Sequence, residues 1–198
     1  MKALLKEKLS LAMNYEEYRE FFDCLVQTRQ TSGSNQSEDM INYTKLNLQR
    51  VKRVEKSGHL ISELKVVLDK LKKPMIWLII TEAWCGDAAQ NLPYLHLIAA
   101  QSDLIDCRLI LRDENLDIMD QFLTNGGRSI PKLIAFNPDN FDILFLWGPR
   151  PKLAQDAVSA WKAAGIDHDE FILKLHTWYA QNKGDELQKE LLELLKNL

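Results

Sequence analysis

Cys85 is the residue whose type and setting point most directly to chemistry. It lies in Trp84-Cys85-Gly86-Asp87-Ala88, between the apolar run Met75 to Ile80 and a segment with helical patterning. A cysteine at such a strand-to-helix corner sits near unpaired backbone N–H groups and the positive end of the helix dipole. Both favour thiolate over thiol, which makes Cys85 a candidate nucleophile. The alternative for an isolated cysteine is a small, inert packing residue. Asp87 acts in two directions: a carboxylate at a helix start is worth about 0.3–1 kcal/mol to the helix, yet it repels a neighbouring thiolate. Its net effect on Cys85 is open, and a plain helix-start role serves Asp87 equally well.

Other chemistries find little support. His59, His96, His168 and His176 are scattered, without a His-Glu-x-x-His motif or paired cysteines, so no metal site and no cofactor are expected. Neither a Gly-x-Ser-x-Gly elbow, a phosphate-binding loop nor a dinucleotide fingerprint occurs, and Asn125-Gly126-Gly127 reads as a loop leading to Ile130-Pro131. Asp113, Glu114, Asp117 and Asp120 read as a solvated helix face. With 28 acidic and 25 basic side chains the net charge is −3, which argues against nucleic acid or an anionic membrane as partner. Three cysteines, an odd and sparse set, suit a reducing compartment, and a cytoplasmic location is expected. Lys2, Lys6, Glu7 and Lys8 break up the leucines of the first 13 residues, so no signal peptide is read there. Met75 to Ile80 is far shorter than the roughly 20 apolar residues a spanning helix needs.

The elements that must position Cys85 can be read from periodicity. The chain of 198 residues, 46% hydrophobic, can fill one sizeable core. Asn14 with Glu17 resembles a capping box opening a helix that carries Tyr15, Tyr18, Phe22 and Leu25. Gln30 to Asp39 is polar and reads as a loop or linker, with the boundary between an accessory region and the core after it. A helix over Ile41 to Lys56 carries Lys45, Arg50, Lys52, Arg53 and Lys56 against Glu55, either a solvated face or an anion site. A further helix through Ile61, Leu64, Val67, Leu68 and Leu71 should end before Pro74. Strand Met75 to Ile80, helix Gly86 to Gln101, strand Ile105 to Leu111, a short helix Leu116 to Leu123, and strands Pro131 to Phe136 and Phe141 to Trp147 follow. The turn cluster Asn137-Pro138-Asp139-Asn140 joins the last two strands as a hairpin, which predicts an α/β fold with a mixed sheet. Helices from Pro151 to Gly165 and from Asp167 to Gly184 lead to a final one with Leu187, Leu191, Leu194 and Leu198 as an intramolecular packing stripe.

Four features in order resemble the thioredoxin superfamily: Trp84-Cys85-Gly86, Pro93 inside the following helix, Ile130-Pro131 at a strand start, and Gly148 after the hairpin. The resemblance covers 60–164. It implies a thioredoxin-like three-layer fold with a central mixed sheet, extended by an N-terminal helical region, 1–59, and a C-terminal one, 165–198. It also implies that Pro131 is cis beside Cys85, that Ile130 and Pro131 hold an extended substrate segment, and that Trp84 and Gly86 shape the site. Two departures stand out, Ala88 in place of the family's second cysteine and Ile79 in place of its buried acid. What remains is single-cysteine chemistry, a mixed disulfide resolved by an external thiol, with a protein or a low-molecular-weight thiol or disulfide as partner. Cys107, in mid-strand, would need its Cα within about 7 Å of that of Cys85 to resolve it. A non-catalytic interaction module using the same groove is the alternative, and cluster binding of the single-cysteine glutaredoxin type would colour the purified protein. Substrate, resolving thiol and oligomeric state are not fixed by these residues.

Overall fold

The computed structural model describes residues Met1–Leu198. Four helices, α1 (Lys2–Leu11), α2 (Tyr15–Gln27), α3 (Glu38–Ser57) and α4 (Ser62–Leu68), precede the first strand, β1 (Met75–Thr81). Then come α5 (Gly86–Ala99), β2 (Ile105–Leu111), α6 (Leu116–Met119), β3 (Lys132–Phe136) and β4 (Ile143–Trp147). Three helices close the chain: α7 (Lys152–Ala163), α8 (His168–Asn182) and α9 (Asp185–Lys196).

The sheet order is β2-β1-β3-β4, with β1 parallel to β2 and β3 antiparallel to both β1 and β4, the mixed sheet expected from the hairpin. Every residue of β1 is buried, because helices cover both faces of the sheet. Strand alternation sends Met75, Trp77 and Ile79 into the larger apolar cluster, built with Tyr18 and Phe22 of α2, Val51 of α3, Leu64 of α4, Leu92 and Leu95 of α5 and Leu191 of α9. Ile76, Leu78 and Ile80 face the opposite layer, made by Leu5 of α1, Ile118 and Met119 of α6, Phe122, Ile130 and Cys85. Each fully buried large side chain of this kind contributes roughly 1.5–3 kcal/mol, so the two layers hold the corner at Cys85 from both sides.

Several expectations are corrected. The leucines of the first 13 residues belong to a helix, α1, which buries Leu5 against the sheet. The Gln30 to Asp39 segment is a loop as far as Ser37, with α3 starting at Glu38, and it is tied down: Thr31 and Ser32 are buried, Thr31 Oγ1 lies 2.5 Å from Thr44 Oγ1, and Ser32 Oγ accepts the Ala83 N–H at 2.9 Å. The short helix stops at Met119 rather than Leu123. β4 starts at Ile143, since Phe141 takes a left-handed conformation with φ 58°. In α9 the buried stripe runs Leu187, Leu191, Leu195, while Leu198 is exposed.

The β2 edge is capped by Met13, which exchanges backbone hydrogen bonds of 2.9 and 2.8 Å with Leu109. No helix is long and apolar enough to cross a membrane.

Candidate functional site

Leaving the core at Thr81, β1 is followed by Glu82, Ala83 and Trp84, and Cys85 becomes the N-cap of α5. The Ala88 N–H donates to Cys85 Sγ at 3.4 Å, the capping bond that satisfies one orphan helix donor. On its other side the thiol donates to the Ile130 carbonyl at 3.3 Å, and the Ile130–Pro131 peptide is cis. Ile130, Pro131 and Cys85 are thus brought together, all three buried, and Cys85 is only 8% exposed. Gly148, at φ 107°, allows this close packing, because a side chain there would run into the Pro131 carbonyl.

The electrostatics reverse the expectation drawn from the helix terminus. Burial, followed by the Asp87 charge, pushes the Cys85 thiol up to about 12, and the opposing pull of the Ala88 and Asp87 N–H groups and of Arg150 does not offset them. At rest the sulfur is a thiol. Desolvation outweighs two weak N–H contacts because the thiolate would lose nearly all of its water.

Asp87 stands in the first turn of α5, as a helix-start residue would, but its carboxylate is paired there. Its carboxylate is held by the Arg150 guanidinium, with Nε donating to Oδ1 at 3.2 Å and Nη2 to Oδ2, and Tyr179 Oη donates to Oδ1 at 2.6 Å. Asn91 Nδ2 donates to Tyr179 Oη at 3.1 Å and to the Asp87 carbonyl at 2.9 Å. The two Asp87 bonds hold Arg150 above its ordinary value in spite of burial, and burial together with the Asp87 charge raises Tyr179 well above its own. α8 and the segment before α7 therefore reach the residue two places beyond the cysteine.

Trp84 is half-buried beneath the Arg112 guanidinium, 4.6 Å from the ring centroid. Gly86 leaves room for His176 and Arg50: a Cβ at this position would lie 3.0 Å from His176 Cε1 and 3.5 Å from Arg50 Nη1.

All three cysteines are free. Cys107 packs against the larger apolar cluster while Cys85 belongs to the opposite one, so the sheet separates the two sulfurs. Cys24 is exposed on α2. Ala88 and Ile79, the positions that depart from the two-thiol pattern, are both buried. No group of three His, Cys, Asp or Glu side chains is arranged to hold a metal ion.

Some residues of this region carried no usable sequence signal. Glu82 is wholly buried; Oε1 accepts the Asp113 N–H at 2.8 Å, Oε2 has no hydrogen-bond partner, and burial raises the carboxyl above its usual range. Asn47, also wholly buried, donates from Nδ2 to the Ala83 carbonyl at 3.0 Å.

A family model described as thioredoxin matches residues 33–162, the greater part of the chain. The chain belongs to the thioredoxin family. Among solved structures, a thioredoxin-fold chain of this shape is similar to a protein of unknown function from Pseudomonas aeruginosa, at 19% identity and a TM-score of 0.59 over 93% of this chain and 98% of that one. An HIV epitope scaffold aligns at 18% identity with a TM-score of 0.57, covering 94% of this chain and 99% of the scaffold. At such identities the likeness concerns the fold. No curated protein matches the sequence. In this thioredoxin-family chain Ala88 follows a lone sulfur, and Asp87 is held by Arg150 and Tyr179.

Proposed function

We propose that this thioredoxin-family protein carries out thiol–disulfide exchange through Cys85 alone. The observation that carries the reading is the position of Sγ, capped by the Ala88 N–H and next to the Ile130 carbonyl and Pro131, with Cys107 across the sheet and Ala88 three residues on. In the forward step Cys85 loses its proton to solvent and its thiolate attacks one sulfur of a partner disulfide. The S–S bond of the partner breaks, a Cys85–partner disulfide forms, and the other half leaves as thiolate. A second, external thiol then attacks the mixed disulfide and restores Cys85, because Ala88 cannot resolve it. A partner that displaces the Ile130 contact and brings Cys85 nearer to water would relieve the burial that opposes ionisation most strongly. Protein disulfides and small disulfides are both compatible with this scheme, and a cytoplasmic setting would supply the external thiol.

One observation favours a second reading, a non-catalytic interaction module. The thiol is buried and pushed up to about 12, which leaves almost none of it reactive at neutral pH. The two readings separate in one experiment: reduced protein is incubated with intact, disulfide-bonded insulin, quenched with acid, and mapped by peptide mass spectrometry. A covalent adduct on the Cys85 peptide, absent from the folded Cys85→Ser variant, supports exchange. Adducts confined to Cys24, or none at all, support the interaction module.

A further inference from the structure

The basic face of α3 holds two guanidinium groups that no carboxylate neutralises. Arg50 donates from Nη1 to Asn47 Oδ1 at 2.7 Å, and Arg53 donates from Nη2 to Gln90 Oε1 at 2.8 Å; neither forms an ion pair. By contrast, Lys52 on the same helix reaches Asp23 at 2.9 Å. Arg50 is half-buried, and it stays charged although burial and the neighbouring Arg53 lower it to about 10. Leaving the half-buried Arg50 guanidinium without a counter-charge is costly, so it points to an anion supplied from outside, and the exposed Arg53 adds a second cation one turn further along α3.

The two groups line adjoining hollows. Arg50 faces one of about 320 Å³ with Tyr43 and His176, where Asp169 is the one carboxylate on the wall. Arg53 faces another of about 260 Å³ with Gln90 and Tyr179. Gln90 Nε2 lies 3.2 Å from His176 Nδ1 and so links the two walls. His176 and Arg50 rest against Gly86, the residue that follows Cys85. Burial and the two arginines keep His176 near 4, so at neutral pH it adds a hydrogen-bonding ring rather than a charge.

We infer that Arg50 and Arg53 bind the carboxylates of a small peptide thiol or disulfide and seat its sulfur toward Cys85. Two guanidiniums one helical turn apart, each in its own hollow, fit a ligand with two carboxylates. The inference rests on the exchange chemistry proposed above and supplies its substrate class.

The test compares two small disulfides of opposite charge, glutathione disulfide and cystamine, by the rate of mixed-disulfide formation on Cys85 at low and high salt. The wild-type protein should react about tenfold faster with glutathione disulfide at low salt, and the Arg50→Gln/Arg53→Gln variant should lose about tenfold of that rate while its rate with the cationic cystamine rises or holds rather than falls. A control variant, Lys45→Gln/Lys56→Gln, removes the same charge from exposed positions of α3 and should retain the preference. An equal loss in the control, or a preference that survives in the arginine variant, overturns the site. If neither disulfide reacts, the exchange reading fails, and the site is judged on binding alone: S-methylglutathione titrated into Cys85→Ser protein by calorimetry. Binding that disappears with Arg50→Gln/Arg53→Gln upholds the anion site, and no binding to the folded Cys85→Ser protein overturns it.

Discussion

Replacing Asp87 by Asn should make Cys85 markedly more acidic. A thiol at about 12 is ionised at roughly one part in 10⁵ at pH 7, against about three parts in 100 for an unhindered thiol near 8.5. Alkylation of Cys85 in the wild-type protein should therefore be about three-thousandfold slower than that of a free cysteine, before any loss from restricted access. Asp87→Asn removes the repelling charge and leaves the Arg150 cation beside the sulfur without a carboxylate. An amide oxygen at position 87 can still accept from Tyr179 Oη, which preserves the bond now at 2.6 Å. The labelling rate at pH 7 should rise about tenfold or more, and Arg150→Gln should shift it in the opposite direction. Peptide-resolved iodoacetamide labelling between pH 6 and about pH 10 should rise about tenfold per pH unit in the wild-type protein, since that range lies below about 12, with the Asp87→Asn line displaced toward lower pH. Circular dichroism confirms that each variant is folded at the assay temperature. Wild-type labelling as fast as that of free cysteine, or an Asp87→Asn profile displaced to higher pH, would refute the reasoning.

Three further outcomes are expected. Arg150→Gln leaves the buried Asp87 carboxylate without its counter-charge and should cost about 3–5 kcal/mol by urea unfolding, while Asp87→Asn/Arg150→Gln should be more stable than Arg150→Gln alone; additive losses would show that the pair is not coupled. Burial holds the Glu82 carboxyl above its ordinary value of 4.5, so the folded chain binds that proton more tightly than the unfolded one. That stabilisation is complete below 4.5 and is lost as pH rises through the raised value, so wild-type urea midpoints should fall relative to Glu82→Gln from about pH 4.5 toward neutrality; a constant gap would count against it. Asn14→Ala removes the 2.8 Å bond that the Glu17 N–H donates to the Asn14 side chain, while the backbone N–H at position 14 can still donate to the Glu17 carboxylate, and should cost about 1 kcal/mol in the same assay, with an unchanged midpoint as the contrary result.

What could be read from residues alone follows the range of the interaction. The β1 run is apolar throughout because both faces of the strand are covered, and Ile105–Leu111 and the Asn137-Pro138-Asp139-Asn140 turn carry their own local signals. The Asn14 and Asp167 caps are likewise local, and their side chains accept from Glu17 and Glu170 as the spacing indicates. The corner at Cys85 was legible through Trp84, Gly86 and the distant Ile130-Pro131. The acidity of the thiol was not, because it depends on how completely the helices bury the sulfur and on where the Asp87 carboxylate points. Arg150 and Tyr179 reach Asp87 from 63 and 92 residues away, and nothing in their surroundings marks them as partners. Glu82 is hidden for a related reason: one acid at the end of an apolar strand reads as the start of a loop until the packing closes over it.

The tie between Tyr179 and Asp87 has an evolutionary corollary. A helix from the far end of the chain holds the aspartate next to the reactive corner, so these two positions, with Arg150, should change as a set. In descendants that shed the last helices, or trade the tyrosine for a residue unable to donate, the aspartate should be replaced too. The sulfur of such lineages would then be free to become a sharper nucleophile.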